Sequence, residues 1–167
     1  LALARMQQTG LLGPIITQNI DGLHQKAGST EVLEFHGNVA TLRCLDCHRL
    51  IPSREAPLED RPPRCSCGGV LRPVVVFFGE AIPPETLERS QQVAARCEVM
   101  LVVGTSGVVQ PAASIPLIAK HQGALVVEVN PERTPLTEAV TDVFLEGAAG
   151  EVLPRILSAL ADKSTTH

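Results

Sequence analysis

The chain has 167 residues, 44% of them apolar, and a formal net charge of −4. That is enough apolar material for one sizeable domain, with or without a small insert. Because charges of both signs are interspersed, no basic stripe indicates nucleic-acid binding. No apolar run reaches membrane-spanning length, and the first residues lack a signal-peptide pattern. We therefore expect a cytoplasmic protein that binds neither nucleic acid nor a membrane.

The pattern of apolar runs and turn residues predicts alternating helices and strands. Residues 1–8 read as the end of a helix that stops at Gly10. Short apolar runs that end in turn residues predict buried parallel strands at 15–17, 99–103, 125–129 and 143–145. Proline and glycine punctuation predicts helices at 84–95, 111–122 and 150–161. The alternation predicts an α/β fold, part of a Rossmann-like doubly wound parallel sheet.

Residues 41–73 break this alternation, because they hold four Cys and five Pro and show little periodicity. We expect a small inserted module there, without a hydrophobic core of its own, between Rossmann-like parts at 1–40 and 74–167. The two thiol pairs, separated by seventeen residues, are typical of a closed tetrahedral site for one structural zinc ion. The predicted ligands are Cys44, Cys47, Cys65 and Cys67. A disulfide is disfavoured in a cytoplasmic protein, and His48 is an alternative ligand.

Polar side chains follow the first predicted strand at the point where it ends. Gln18, Asn19 and Asp21 would lie at the carboxyl end of a buried strand, where open α/β sheets bind ligands. His36-Gly37 follows fifteen residues after Asp21. Turn chemistry is an alternative explanation for the polar run, and capping or packing is one for an isolated His. The density of hydrogen-bonding side chains favours a functional site.

The run from Thr17 to His24, followed by His36-Gly37, resembles the catalytic core of the sirtuins, the NAD-dependent protein lysine deacylases. Other matches follow in family order, and jointly they are specific although each alone is weak. They are the two cysteine pairs, residues 76–80, Gly104-Thr105-Ser106 and residues 127–130. The Phe77–Glu80 version is most similar to bacterial deacetylases. The resemblance implies transfer of an acetyl group from lysine to ADP-ribose, with release of nicotinamide.

The resemblance also implies a role for each matching residue. His36 would be the base that activates a ribose hydroxyl, a task suited to an imidazole. Asn19, a second catalytic residue, and Gln18 would orient the ribose and a water, and Asp21 would hold the carboxamide of nicotinamide. The implied NAD contacts are Gln18, Asn19, Ile20, Asp21, Gly104, Thr105, Ser106, Asn130, Pro131, Glu132 and Ala149. His24 is interpreted as structural.

Acetylated lysine peptides are the partners that the resemblance implies. Val76 and Phe78 would line a tunnel for the lysine stem, and neighbouring backbone would pair with an extended peptide. The implied substrate residues are Val76, Phe78, Gly79, Glu80, Gly107 and Val108. From the letters alone, a buried strand at 74–78 and ordinary turns at 104–106 and 130–131 are equally compatible.

Sirtuins carry a glycine-rich segment before the position that matches Leu1, and we expect this chain to lack it. We therefore expect weak NAD binding and little activity from residues 1–167 alone, and a monomer when that segment is present. Three alternatives remain open. The chain is a catalytically incomplete, zinc-stabilised peptide-binding or NAD-binding fragment, a mono-ADP-ribosyltransferase, or a deacylase for longer acyl groups.

Overall fold

The structure of the protein is a computed structural model that describes residues 1–57 and 61–164. The helices in this part of the chain are α1 (Ala2–Gln8), α2 (Leu23–Lys26), α3 (Pro84–Arg96), α4 (Ser114–His121), α5 (Pro135–Ala139) and α6 (Ala149–Ser164). The strands are β1 (Ile15–Thr17), β2 (Val32–Glu34), β3 (Gly37–Cys44), β4 (Leu50–Pro52), β5 (Leu71–Val75), β6 (Val99–Val103), β7 (Leu125–Asn130) and β8 (Val143–Glu146). None of the helices described is long and apolar enough to cross a membrane.

The four predicted parallel strands are present, and the α/β prediction is confirmed. Strand β1 pairs in parallel with β2, and β6, β7 and β8 form a second parallel sheet in that order. Within the described residues, the parallel strands therefore form two sheets and not one continuous sheet. Helix α4 begins at Ser114, three residues later than predicted, because residues 110–113 form a turn closed by Ala113 N–H donating to the Val109 carbonyl.

The Cys-rich segment contains an antiparallel sheet, in the order β4-β3-β5, which the sequence pattern did not predict. The expectation that this segment lacks a core was wrong in part. Leu42, Ala56 and Leu71 form a small buried cluster that also contains two of the thiols. The alternative of a buried strand at 74–78 was also wrong, since β5 ends at Val75. The pairing between β3 and β5 is irregular, so these strands lack the regular alternation of apolar and polar residues by which a strand is predicted from sequence.

The main apolar cluster lies under α3 and α4 and anchors the residue before His36. Phe35 is completely buried there, among Ala94 of α3 and Ile115 and Ala119 of α4. Its backbone N–H donates to the Thr17 carbonyl at the end of β1, at 2.8 Å. His36 therefore directly follows a residue that is fixed in the main core of the fold.

Candidate active site and metal centre

The loop from Gln18 to Asp21 is held in place at three points after β1 ends. The Asn19 N–H donates to the Thr17 hydroxyl at 3.1 Å. The carbonyl of Ile20 accepts from the Val39 N–H at 3.0 Å, which ties the loop to β3. The Asp21 carboxylate accepts from the Leu23 N–H at 2.9 Å, at the start of α2. The side chains of Asn19 and Asp21 are exposed, so they are available to a ligand.

His36 is half-buried, and its ring is oriented by the Gln18 backbone. Its Nδ1 atom lies 3.2 Å from the Gln18 carbonyl oxygen. A carbonyl oxygen has no proton to give, so Nδ1–H donates this bond, and in the neutral ring Nε2 keeps its lone pair. The ring also meets the Phe35 ring edge-on, at 5.6 Å between centroids. The arrangement leaves Nε2 as the atom able to accept a proton.

Gly37 is required by the close approach of β5 to the residue after His36. It has a φ of +72°, and a Cβ atom there would lie 2.0 Å from the Val74 carbonyl oxygen. No side chain fits that gap, and L-residues rarely adopt that φ. The carbonyl of His36 also accepts from the Val76 N–H at 3.0 Å, so residues 76–80, which are predicted to bind substrate, start directly beside the histidine.

The carboxyl ends of β1, β6 and β7 meet at Thr105. The Gln18 side-chain amide donates to the Thr105 hydroxyl at 3.2 Å, across 87 positions of sequence. The Asn130 side-chain amide donates to the Thr105 carbonyl at 2.9 Å. Gly104 N–H donates to the Val129 carbonyl at 3.0 Å. The structure therefore brings Gln18, the Gly104-Thr105 segment and Asn130 together at one edge of the parallel sheets, as predicted from the sequence. Open α/β sheets form their ligand crevice at this edge.

The other predicted NAD contacts are placed around this junction. Ser106, Pro131 and Glu132 are exposed. Ala149 is the first residue of α6, close to Gly147, whose N–H donates to the Asn130 carbonyl at 3.0 Å. These positions are compatible with the predicted contacts, which remain predictions.

The segment from Phe77 to Glu80 is a turn braced by Arg72, a residue that the sequence reasoning missed. The Arg72 guanidinium forms two bonds to the Glu80 carboxylate, each 2.9 Å, and lies 5.1 Å from the centroid of the Phe77 ring. Glu80 also accepts from the Phe77 N–H at 3.1 Å. The pairing with Arg72, followed by the Phe77 N–H, lowers the pKa of the Glu80 carboxyl from 4.5 to about 2.

The predicted substrate residues present a mostly open surface. Phe78 is 99% exposed and Val108 is 61% exposed, whereas Val76 is half-buried. The expected tunnel wall at Phe78 is therefore not formed by the described residues alone. Gly107 is half-buried against α5. The substrate roles of these residues and of Gly79 remain predictions.

The four predicted metal ligands converge as expected. Their sulfur atoms all lie within 4.8 Å of one another. The Cys44–Cys67 sulfur distance is 3.5 Å and the Cys47–Cys65 distance is 3.8 Å. Four thiolates at about 2.3 Å from a zinc ion have their sulfurs about 3.8 Å apart, so the cluster fits one tetrahedral zinc. Cys67 joins despite the single residue that separates it from Cys65, and His48 is not a member of the cluster.

Backbone N–H groups prepare two of the thiols to lose their protons. The Cys67 N–H lowers the pKa of the Cys65 thiol to about 6, and the Cys47 N–H lowers the pKa of Cys44. The Gly69 N–H acts in the same direction on Cys67. There it is outweighed by the neighbouring thiols of Cys47 and Cys44, which raise the pKa of Cys67 to about 12. Four thiols packed this closely need a cation before all of them ionise, which is the chemistry of a closed structural site.

A second residue that sequence reasoning did not single out is Glu128, which is completely buried in β7. Its carboxylate accepts from the hydroxyls of Thr134, Thr137 and Thr141. The signal in the sequence was a lone charged residue inside an apolar strand, followed by closely spaced threonines.

The fold and the site together define a Rossmann-like α/β protein with an inserted four-thiolate centre, and comparison with known proteins identifies the family. Residues 1–111 match the Sir2 family model. The chain therefore belongs to the Sir2 family, as the sequence resemblance indicated. A curated relative, NAD-dependent protein deacylase 2 of Pyrobaculum aerophilum, is 48% identical over an alignment 167 residues long, which covers 99% of this chain and 66% of the relative. The chain thus spans just under two thirds of that relative's length.

Solved structures of the family have the same fold. A Sir2–p53 peptide–NAD+ complex matches with a TM-score of 0.90 and 36% identity, over 96% of this chain and 68% of the other. The structure of Sir2Af2 bound to a myristoylated histone peptide matches with a TM-score of 0.88 and 43% identity, over 99% and 72% of the two chains.

Proposed function

We propose that the protein containing this chain is an NAD-dependent protein lysine deacylase and that it removes acetyl groups. The observation that carries the proposal is the double engagement of Gln18. Its carbonyl orients His36 at 3.2 Å, and its side chain bonds Thr105 at 3.2 Å. One residue thus couples the candidate base to the loop where a dinucleotide is expected, at the carboxyl ends of the parallel strands.

In this proposal, the residues around Gln18 bind NAD and move one proton. His36 accepts a proton at Nε2 from a ribose hydroxyl, because Nδ1–H is already committed to the Gln18 carbonyl. Asn19 orients the ribose and a water, and Asp21 holds the nicotinamide carboxamide with the carboxylate oxygen not bonded to Leu23. The Gly104–Ser106 segment and Asn130 hold the adenosine half.

We propose that an extended acyl-lysine peptide lies between the 76–80 turn and the segment at Gly107 and Val108. The bonds to Arg72 hold the turn in shape before any peptide binds. Exposed Phe78 and half-buried Val76 provide apolar surface to the lysine stem. A family member solved with a p53 peptide supports this class of partner.

We propose a structural zinc ion held by Cys44, Cys47, Cys65 and Cys67. All four positions of a tetrahedral ion would be filled by thiolates, so the ion would stabilise the β3–β5 region and take no part in the reaction. Four reduced thiols suit a reducing compartment such as the cytoplasm. The division into a module at 41–73 and a Rossmann-like remainder is likewise a proposal.

The test is deacetylation of an acetyl-lysine peptide by the full-length gene product, with released nicotinamide and deacetylated peptide measured together. We expect both products in equal amounts, and we expect His36→Ala to reduce turnover by about two to four orders of magnitude. The matched control is His24→Ala, since His24 is half-buried on α2 and outside the junction at Thr105. Near-normal turnover by His36→Ala would remove this histidine from the mechanism.

The same assay separates the acetyl proposal from its alternatives. Peptides carrying acetyl and myristoyl groups are compared at equal concentration, because one family member was solved with a myristoylated peptide. Faster myristoyl removal would reassign the acyl preference. Nicotinamide release with ADP-ribose attached to the protein and no deacylated peptide would indicate a mono-ADP-ribosyltransferase. No turnover by the full-length protein would favour a binding module.

A further inference from the structure

Glu128 is a buried carboxylate whose hydrogen-bond donors all come from one short region of the chain, residues 134–141. Its side chain is completely buried in β7. The hydroxyls of Thr134, Thr137 and Thr141 donate to its two oxygens at 2.7, 2.7 and 2.8 Å. A buried carboxylate is costly unless it is hydrogen-bonded. An apolar residue would fill this strand position without that cost, so the charge itself calls for an explanation.

The three threonines lie before, within and after α5, a helix of five residues. Thr134 precedes the helix, and its hydroxyl accepts from the Leu136 N–H at 3.1 Å, while its own N–H donates to the Thr137 hydroxyl at 2.9 Å. Thr141 follows the end of the helix. A helix this short is unstable by itself in water. The Glu128 carboxylate therefore fixes both ends of α5 against β7.

Two loops of the candidate site depend on the position of α5. The first is the 131–133 loop, which connects Asn130, bonded to Thr105, with Thr134, bonded to Glu128. The second is the turn after β6. A Cβ atom at Gly107 would lie 2.6 Å from the Leu136 Cγ atom, so α5 packs directly on the backbone at Gly107. Leu136 is only 4% exposed, which makes this contact part of the core.

We propose that Glu128 is a positioning residue for the cofactor site. It holds α5 through three threonine hydroxyls. Helix α5 in turn sets the 131–133 loop and, through its contact with Gly107, the turn after β6 that carries the Gly104–Ser106 segment, where the adenosine half of NAD would bind. The inference rests on the proposed function for the identity of the ligand. Glu128 itself does not contact the ligand, since its carboxylate is buried and directed at the threonines.

The test compares two carboxylates that form hydrogen bonds at β7, one from a residue within the strand and one from a residue outside it. Glu128→Gln keeps the shape of the side chain but loses a charge and an acceptor oxygen. Asp142→Asn is the control, because Asp142 accepts from the Val126 N–H at 2.9 Å, near the amino end of β7, and from the Lys120 ammonium group of α4. ADP-ribose affinity by calorimetry, the melting temperature, and hydrogen exchange at residues 107 and 131–136 are measured for the full-length protein and both variants.

We expect Glu128→Gln to weaken ADP-ribose binding about tenfold, the size of one lost charged hydrogen bond. Exchange should be faster at residues 107 and 131–136, and the KM for NAD should rise with kcat little changed. Asp142→Asn should lower the melting temperature without changing affinity or exchange at those residues. A loss of melting temperature in Glu128→Gln with unchanged affinity and exchange would show a purely structural role and overturn the inference.

Two further results keep the inference separate from the proposed function. If the wild-type protein binds no ADP-ribose, the proposed function fails, and the exchange comparison alone decides whether Glu128 positions these loops. If Glu128→Gln does not fold, Thr141→Val removes one of the three hydroxyls and Thr141→Ser restores it. Weaker binding in Thr141→Val with recovery in Thr141→Ser supports the inference, and equal affinity in the two variants contradicts it.

Discussion

The antiparallel sheet β4-β3-β5 and the parallel sheet β6-β7-β8 are stabilised in different ways. The antiparallel sheet has a small apolar cluster in which two of the five buried members are thiols, Cys44 and Cys65. The parallel sheet is packed by aliphatic side chains, among them the fully buried Val126 and Val129. In the first region, stability depends on a few sulfur atoms. In the second, it is distributed over many contacts.

The difference determines what each region can contribute to function. A region that depends on one ion folds or unfolds as a unit with that ion. A region with distributed packing tolerates polar residues at its strand ends, and there the structure collects Gln18, Thr105 and Asn130. His36 lies directly before β3, and its ring is oriented by the carbonyl of Gln18.

Metal removal should produce the largest difference in stability between the two sheets. Structural zinc sites carry apparent binding free energies of about 10–16 kcal/mol, which are lost with the ion. We expect a strong chelator, or Cys44→Ser, to abolish hydrogen-exchange protection in β3, β4 and β5 and to abolish activity, while protection in β6 and β7 is retained in large part. A metal-free protein with a native melting profile would contradict the four-thiolate assignment.

Truncating the main core should have a smaller and graded effect. Phe35 is completely buried, so Phe35→Ala should lower the free energy of unfolding by about 3–5 kcal/mol. The matched control is Phe77→Ala, since the Phe77 ring is 55% exposed and its loss should cost much less. Denaturant unfolding of the two variants measures the difference. Equal losses would mean that the distributed core beside His36 is not the main source of stability.

Acid should have the smallest effect, confined to the turn at Phe77–Glu80. The pKa of Glu80 is lowered from 4.5 to about 2 by Arg72 and the Phe77 N–H. Its stabilising contribution is therefore complete above pH 4.5 and is lost as the pH falls towards 2. The protection factor of the Phe77 amide should fall over this range. It should already be low and nearly pH-independent in Glu80→Gln, and an equal acid response in that variant would exclude Glu80 as the cause.

The parallel strands were predictable, but the antiparallel sheet was not. The strands at 99–103 and 143–145 are continuous apolar runs, which a buried parallel strand requires. Strand β3 instead has a register shift against β5 between Asn38 and Leu42, and its buried and exposed residues alternate only from Leu42 to Cys44. Its core also includes cysteines, which a pattern of aliphatic residues does not reveal.

The local sequence determined which chemical groups this protein carries, and the tertiary structure decided which of those groups contact one another. The cysteine spacing, the polar run after β1 and His36-Gly37 are short-range features, because ligand type and turn geometry depend on neighbouring residues. The Gln18–Thr105 bond spans 87 positions and links the ends of strands from two different sheets, so it depends on how those sheets are placed against each other. The Arg72–Glu80 pair and the three hydroxyls on Glu128 likewise depend on backbone paths through turns. Side-chain partners across a fold are set by packing, and packing is not encoded in any single segment.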